Sequence, residues 1–289
     1  MSFGLGAYEM TLLTTIGIGV TLALSLNLIT GFCGQISLGH AAFYGTGAYT
    51  AAMLTKSGVP FVLAMLAGGA MAAAVGIVVG LASLRVRHDF LAITTMGVSF
   101  LFVGVVRQQE ALGGELGVSS IPDHGFGKFG FMLLALVIAA AVALFSIYLK
   151  RTWMGYAFDS IADDEDTART VGIDVGQYKL TAFAFGTALA GVAGGLYAHQ
   201  VRFISPESFG FIESITILSM VVVGGIGSVG GIIVAAVILT MLPQWFQFIE
   251  QYKLLLYGGL LFAMMRFSPG GLAALTRKAL DQIRSRQPT

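Results

Sequence analysis

Long apolar runs follow one another along the whole chain, separated by short polar breaks. A helix needs roughly 20 apolar residues to cross the hydrocarbon core. The runs Met10 to Ile29, Phe61 to Leu84, Phe90 to Val106 and Phe129 to Leu149 approach or exceed that length, and a further run ends near His199. Two runs are interrupted by glycine. GFCGQISLGHAAFYGTGAY, Gly31 to Tyr49, follows the first run and leads into a helical piece that reaches Leu54. A turn through Lys56, Ser57, Gly58 and Pro60 follows it. From Phe211 to Leu242 the apolar run is too long for one simple span, and GGIGSVGG, Gly224 to Gly231, breaks it. Two shorter helices meeting at that break are expected, with Pro243 ending the second. A last span covers about Leu254 to Met265.

This pattern predicts an all-α polytopic membrane protein of eight to ten transmembrane or half-helix segments, with two glycine-rich broken helices. Of the 289 residues, 56% are hydrophobic and 11% charged, about half the usual charged share of a soluble domain. The net charge of +1 leaves no footprint for nucleic acid. The cations cluster at helix ends: Arg85 and Arg87 with His88, then Lys150 and Arg151, then Arg266 followed by Arg277, Lys278, Arg284 and Arg286. The positive-inside rule puts these groups in the cytoplasm. Splitting the run at Gly224 to Gly231 makes charge and parity agree, with the N-terminus outside and the C-terminus cytoplasmic. The reading is of one domain over residues 1–289. It has an outer loop from Arg107 to Lys128, a cytoplasmic loop from Lys150 to Lys179 and a basic tail over residues 266–289. The segment MSFGLGAYEM lacks a basic n-region and is expected to lead into a retained helix. Cys33 is the sole cysteine, so no intrachain disulfide forms.

Small residues recur every four positions on two runs: Gly68, Ala72, Gly76 and Gly80, and Gly186, Ala190, Gly194 and Ala198. Such stripes let backbones approach closely in lipid, where no hydrophobic drive acts between helices.

The segment Lys150 to Lys179 is far longer than a turn requires. Phe158 to Val171 reads as one short surface helix, with Ile161, Ala162 and Ala168 on one side and Asp163 to Asp166 exposed. Gly172 fits a C′ position with Ile173 after it. Asp174 and Gln177 have capping-box spacing, and Ile173 and Tyr178 fit a hydrophobic staple. The result is a built elbow, expected to dock a soluble subunit through Asp159, Ile161, Asp164, Glu165, Ala168, Gly172 and Ile173. A solvated helix face is the plain alternative for most of the acidic run.

Paired interrupted segments point to a substrate path near the bilayer midplane, since glycine-rich backbone at that depth must line protein or a watery cavity. Asn27, Gln35, Ser37, His40 and Ser228 are the candidates at the two breaks. Thr94 and Thr95 are weaker ones, because such threonines commonly bond back to their own helix. For any one of these residues close packing competes with a role in the path. His40, His88, His124 and His199 lie too far apart in sequence for a helical metal motif, so no metal site is expected. No carboxylate falls in the middle of a span, which disfavours a proton-coupled carrier. No stretch matches the P-loop pattern and no catalytic constellation is present, so the chain is not read as an enzyme.

The stretches LNLITGFCGQISLGHAAFYGTGAY (Leu26 to Tyr49), FLAITTM (Phe90 to Met96), GGELGVSSIP (Gly113 to Pro122), Thr167 to Leu180, RFISPESF (Arg202 to Phe209), GGIGSVGG and FSPGGL (Phe267 to Leu272) resemble those of the LivM-like permeases. These are membrane subunits of branched-chain amino-acid ABC importers. The order is kept over nearly the whole chain. The family often has Gly-Pro where this chain has Gly231 and Ile232, and small or polar residues where it has Glu115. The resemblance implies a multi-pass protein of the bacterial inner membrane that pairs with a second, related permease. Two ATP-binding subunits, which hold ATP and Mg, would dock on the cytoplasmic side, and a periplasmic binding protein would deliver the substrate; the chain itself holds no cofactor. Asp159 to Ile173 would form the coupling elbow. The cargo implied is a branched-chain or other hydrophobic amino acid. A same-family permease for an amide, urea or an aromatic acid is one alternative, and a stand-alone ion-driven carrier or a membrane scaffold is another.

Overall fold

The computed structural model describes residues 6–83, 88–245, 252–267 and 270–274. Arg85, Arg87 and the basic tail from Arg277 onward, which carried much of the topology argument, lie outside the described residues. Among those described there are eleven α-helices with defined bounds, a further helical turn at 271–274 and a single isolated β-bridge. In chain order the helices are α1 (Ala7–Leu26), α2 (His40–Lys56), α3 (Phe61–Ser83), α4 (His88–Gln108), α5 (Gly127–Lys150) and α6 (Trp153–Asp163). They continue with α7 (Glu165–Thr170), α8 (Val175–Val201), α9 (Phe211–Gly224), α10 (Val229–Trp245) and α11 (Lys253–Phe267). A π-helical turn, Asn27–Phe32, extends α1. Among the described residues, six stretches are long and apolar enough to cross a membrane: Ala7–Phe32, Phe61–Ala82, Phe90–Gln108, Gly127–Lys150, Val175–Val201 and Pro206–Gly224. Val229–Gln244 and Leu255–Met264 are shorter apolar helices.

α8 is the axis of the bundle, with α1, α2 and α3 packed around it. Its stripe does what small residues in lipid are for. A methyl group on Gly194 would fall on the Tyr44 carbonyl, and one on Gly186 would meet Ile29 and Ser25. The stripe on α3 faces α8 from the other side, where a methyl on Gly76 would strike the Thr187 side chain. Close backbone contact replaces the hydrophobic drive that lipid removes. Burial separates core from periphery: 78% of the apolar window of α1 is buried, against 22% for α4. Leu63, Leu66 and Val78 on α3, Phe90, Ile93 and Leu101 on α4 and Leu144 on α5 stay exposed, as lipid-facing side chains do.

The two ends of the bundle are distinct. At one, here the Arg202 end, Thr11 and Thr15 of α1, Gln200 of α8, Glu213 of α9 and Gln244 of α10 line one cavity. Lys56 at the end of α2 donates to the Ser119 carbonyl (3.3 Å) there. The loops at this end are tied together. Val118 and Ile204 exchange two backbone bonds (2.8 and 3.0 Å). Arg202 pairs with Asp123 (2.7 Å) and Arg107 with Glu207 (2.9 Å). Arg202 holds the Asp123 carboxyl below its usual range. The stretches Gly113 to Pro122 and Arg202 to Phe209, far apart in sequence, thus form one platform.

Both glycine-rich breaks turn the chain back at the opposite, Lys150 end. α1 runs toward it and α2 away; α9 runs toward it and α10 away. The structure seats Gly227 and Phe32 beside Lys150, the last residue of α5, and the first break then returns to the level of Ser25 on α1, where His40 opens α2. Each break joins two antiparallel helices. Pro243 was expected to end its run, yet α10 continues to Trp245. Proline lacks the N–H that would bond the carbonyl four residues back, and here that carbonyl, Leu239, accepts from the Tyr257 hydroxyl instead (3.0 Å).

Candidate translocation site

The first break starts where α1 widens into the π turn Asn27–Phe32, a form that recurs at functional sites. Two bonds close it: Thr30 Oγ1 donates to the Gln35 carbonyl (3.0 Å) and Gln35 N–H to the Ile29 carbonyl (3.1 Å). The chain then climbs in irregular form to α2. Along that climb Leu38 N–H donates to Thr95 Oγ1 (3.0 Å) and Ala41 N–H to Ser214 Oγ (3.0 Å). His40 Nε2 lies 2.7 Å from Ser25 Oγ. Ser214 of α9 therefore satisfies one of the first donors of α2, which has no intrahelical partner for it, and Thr95 of α4 holds the segment that leads into the helix.

The second break is the turn from Gly225 (φ 103) through Gly227 (φ 79), backbone that glycine adopts without strain. It meets the first break directly. Asn27 Oδ1 accepts from Gly227 N–H (3.0 Å), while Lys150 donates to the Gly227 carbonyl (2.8 Å). Lys150 also stands 5.5 Å above the Phe32 ring, within cation–π range. Gly31 leaves the room this needs, since a Cβ there would lie 2.8 Å from Gly227 N. The two breaks, 200 residues apart, form one junction.

Asn27, Gln35, Ser37, His40 and Thr95 all lie buried around this junction and the climb to α2. Asn27 Nδ2, both amide atoms of Gln35 and His40 Nδ1 are buried with no protein partner. Ser37 Oγ accepts from Gly39 N–H (3.4 Å). Thr94 does not join them: it is partly exposed and bonds back to the Phe90 carbonyl (3.0 Å). Ser228 is partly buried and faces Gly231 N–H at the start of α10 (3.4 Å). It lines a cavity of about 530 Å³ at the Lys150 end with Lys150, Arg151 and Ile226. A second cavity of about 480 Å³ opens at the Arg202 end. Its lining includes Leu22, five residues or about 7.5 Å of helix rise before Asn27 on the same helix.

Sequence reading missed Ser25, Ser99 and Ser214, whose hydroxyls cluster at His40 and the start of α2. It took Lys150 as a topology marker and the start of the cytoplasmic loop, not as a partner of the breaks. It also missed the upper cavity. Polar residues at helical spacing on apolar helices, such as Thr11 with Thr15 and Glu213 with Thr216, were the available signal.

The elbow is two helices, not one. Asp164 takes extended backbone (φ −160) and its carboxylate accepts from Thr167 N–H (2.7 Å), ending α6 and capping α7. That bond holds the exposed Asp164 carboxyl below its ordinary range. Gly172 (φ 86) closes α7, with Gly172 N–H on the Arg169 carbonyl (3.1 Å) and Ile173 N–H on Ala168 (3.1 Å), the Schellman pair. Asp174 then caps α8 through Gln177 N–H (3.1 Å). Ile161 and Ala168 are buried and Ile173 half-buried, all within this chain's own core. The apolar residues that the elbow leaves outward are Trp153 (73% exposed), Tyr156 (62%) and Val171 (70%). Glu165 pairs with Lys179 and Arg169 and so ties α7 to α8. The elbow also touches the junction. Gly34 (φ 69) packs against Ala162, to which a Cβ would approach within 3.0 Å. Burial pushes the Asp159 carboxyl up, Lys150 pulls it down and Asp163 raises it again.

Residues 9–265 match the family described as branched-chain amino acid transport system / permease component. The chain belongs to that family. It is 35% identical to the high-affinity branched-chain amino acid transport system permease protein LivM of Escherichia coli strain K12, over 95% of this chain and 72% of that one. It is 34% identical to LivM of Salmonella typhimurium, over 90% and 69% of the two chains. Identity to the permease protein BraD of Pseudomonas aeruginosa is 26%, over 91% and 92%. No solved structure matches at the same stringency. Family and helices together make this a multi-pass inner-membrane permease.

Proposed function

We propose that this chain is the membrane-spanning subunit of an ATP-driven importer of branched-chain or other hydrophobic amino acids. It works beside a second, related permease, two ATP-binding subunits and a periplasmic binding protein. The single observation that carries this reading is the junction. Two glycine-rich breaks, three buried polar side chains with unpartnered atoms and the elbow meet at one end of the bundle. Unpartnered buried polar atoms cost about 1–3 kcal/mol each, a cost that a gate recovers when it opens to water or solute. The junction sits beside the elbow, where a soluble motor would push. In this reading the Arg202 end faces outside and the Lys150 end the cytoplasm, and α2, α10 and α11 complete the membrane bundle.

The test is uptake by proteoliposomes holding the purified complex. Leucine should accumulate only with ATP and binding protein present. Accumulation without a co-purified ATPase would end the importer reading and favour a stand-alone carrier; uptake of urea or an aromatic acid in place of leucine would move the cargo.

A further inference from the structure

The cavity at the Lys150 end is bounded by the last turn of α5, the turn into α10 and residues 270–274. Its volume of about 530 Å³ falls within the ordinary range for small-molecule sites, roughly 300–1,000 Å³. Its polar side chains are donors. Lys150 gives one N–H to the Gly227 carbonyl (2.8 Å), and an ammonium has two more. Arg151 caps α5 and is exposed, and its guanidinium makes no ion pair among the described residues. Ser228 Oγ accepts from Gly231 N–H (3.4 Å), so its O–H remains a donor. Among the described residues no carboxylate lines this cavity. Asp159 acts on Lys150 from α6 but stands outside the lining, so two cations face one carboxylate. The rim is apolar. Ile226 sits between Gly225 and Gly227 at the tip of the turn and is 52% exposed. Ile147, also in the lining, continues an exposed face of α5 that runs through Leu133, Val137 and Leu144. Tyr148 beside it is exposed, and tyrosines of that kind mark the headgroup level of a membrane. On α10, Val234 and Ile238 are exposed, and α5 and α10 both pack on α1.

We infer that this cavity holds the phosphate headgroup of an anionic phospholipid, with its acyl chains along the exposed faces of α5 and α10. Charge and rim together select that occupant. A guanidinium matches two phosphate oxygens at once, and an ammonium adds a point charge. Basic pockets between helices at a membrane surface take anionic headgroups. The C-terminus of a helix attracts cations on its own account, but that gives no reason for an exposed isoleucine at the tip of a glycine turn. An acyl chain beside it does. A free phosphate would meet the cations and leave Ile147 and Ile226 in water. A lipid bound here shares Lys150 with the Gly227 carbonyl and so touches the second break. The inference holds whatever the cargo and does not rest on the importer reading.

The experiment titrates the full-length chain in neutral detergent with dioleoyl phosphatidylglycerol or dioleoyl phosphatidylcholine. Native mass spectrometry reads the affinity of the first lipid adduct. The two lipids share their acyl chains and differ in net charge. Phosphatidylglycerol should bind tighter by a factor on the order of ten, and Arg151→Gln should weaken it about fivefold, the worth of one cation at a membrane surface. Lys128→Gln removes a cation at the other end of the bundle and should leave the affinity unchanged. Ala274→Phe fills the cavity and should abolish the preference; if that variant does not fold, Arg151→Gln still decides. Inorganic phosphate in large excess should not displace the lipid. Equal affinity for the two lipids, no loss with Arg151→Gln, an equal loss with Lys128→Gln, or displacement by phosphate would overturn the site. A lipid-free dimer in the same spectra would overturn it too, by giving this face to a second copy. The readout needs neither ATP nor partner chains, so failure of leucine uptake by the complex bears on the importer reading alone.

Discussion

At the scale of single residues, Asn27 has the most consequential position. Its Oδ1 is the partner of Gly227 N–H, and its own amide NH₂ is buried and unpartnered. Asn27→Leu keeps the volume and removes the acceptor. It strands the Gly227 donor while relieving the orphaned NH₂, so the two effects oppose each other. The stranded backbone donor should win, because its loop position depends on that bond, with a net loss of about 1–2 kcal/mol. Thermal unfolding of the solubilised protein reads this directly, and an unchanged midpoint would mean that Lys150 alone holds the turn. Asn27, Gln35, Ser37 and His40 were legible in the sequence as polar residues beside glycine in apolar surroundings. Ser25 and Ser214 were not. A serine on a membrane helix normally bonds back to its own turn, and only the fold shows that these two serve His40 and Ala41.

Among the elements, α8 and the elbow behave in opposite ways. The stripe on α8 leaves no space, so Gly194→Val should abolish folded protein, well beyond the usual 1–3 kcal/mol of overpacking, because the obstacle is the Tyr44 backbone. Gly97→Ala on α4 is the matched control. Nothing lies within 4 Å of a Cβ there, and yield should stay at the wild-type level in size-exclusion chromatography. A reversed outcome would mean that α4, not α8, is the packed helix. The elbow buries Phe158, Ile161 and Ala168 and leaves Trp153, Tyr156 and Val171 outward. Ile161→Asp therefore tests folding, and Trp153→Ala with Tyr156→Ala tests docking. The aromatic pair should leave the permease folded and reduce co-purification of the ATPase several-fold, as loss of interface aromatics does. Full recovery of the ATPase with both aromatics gone would place the docking surface elsewhere. The sequence showed the stop at Gly172 and the restart at Asp174 because caps are local chemistry. It did not separate α6 from α7, although Asp164 and Thr167 already had N-cap spacing, because the acidic run reads equally as an exposed face.

Over the whole molecule, three features gather at the Lys150 end: both breaks, the end of α5 and the elbow. Movement of α6 thus reaches Gly34 through Ala162 without an intervening layer. A cross-link should expose this. Gly34→Cys with Ala162→Cys on a Cys33→Ser background brings the two Cβ atoms to about 3.2 Å, slightly closer than the roughly 3.5–4.5 Å of a disulfide, so α6 eases back by a few tenths of an ångström as the bond closes. Oxidation should stop ATP-driven uptake and reduction should restore it. Uptake that continues through the closed bond would mean that elbow and break move as one body and the gate lies elsewhere.

Composition, span length, glycine punctuation and helix caps are properties of short windows. They were sufficient for an all-helical membrane protein with two breaks and a structured elbow. Which residues meet across 200 positions is not a property of any window. The pairing of Asn27 with Gly227, the inward turn of Ile161 and the cavity at Glu213 depend on how antiparallel helices stack around α8. That stacking is set by backbone contact at small residues, and a glycine in sequence does not say which neighbour it admits.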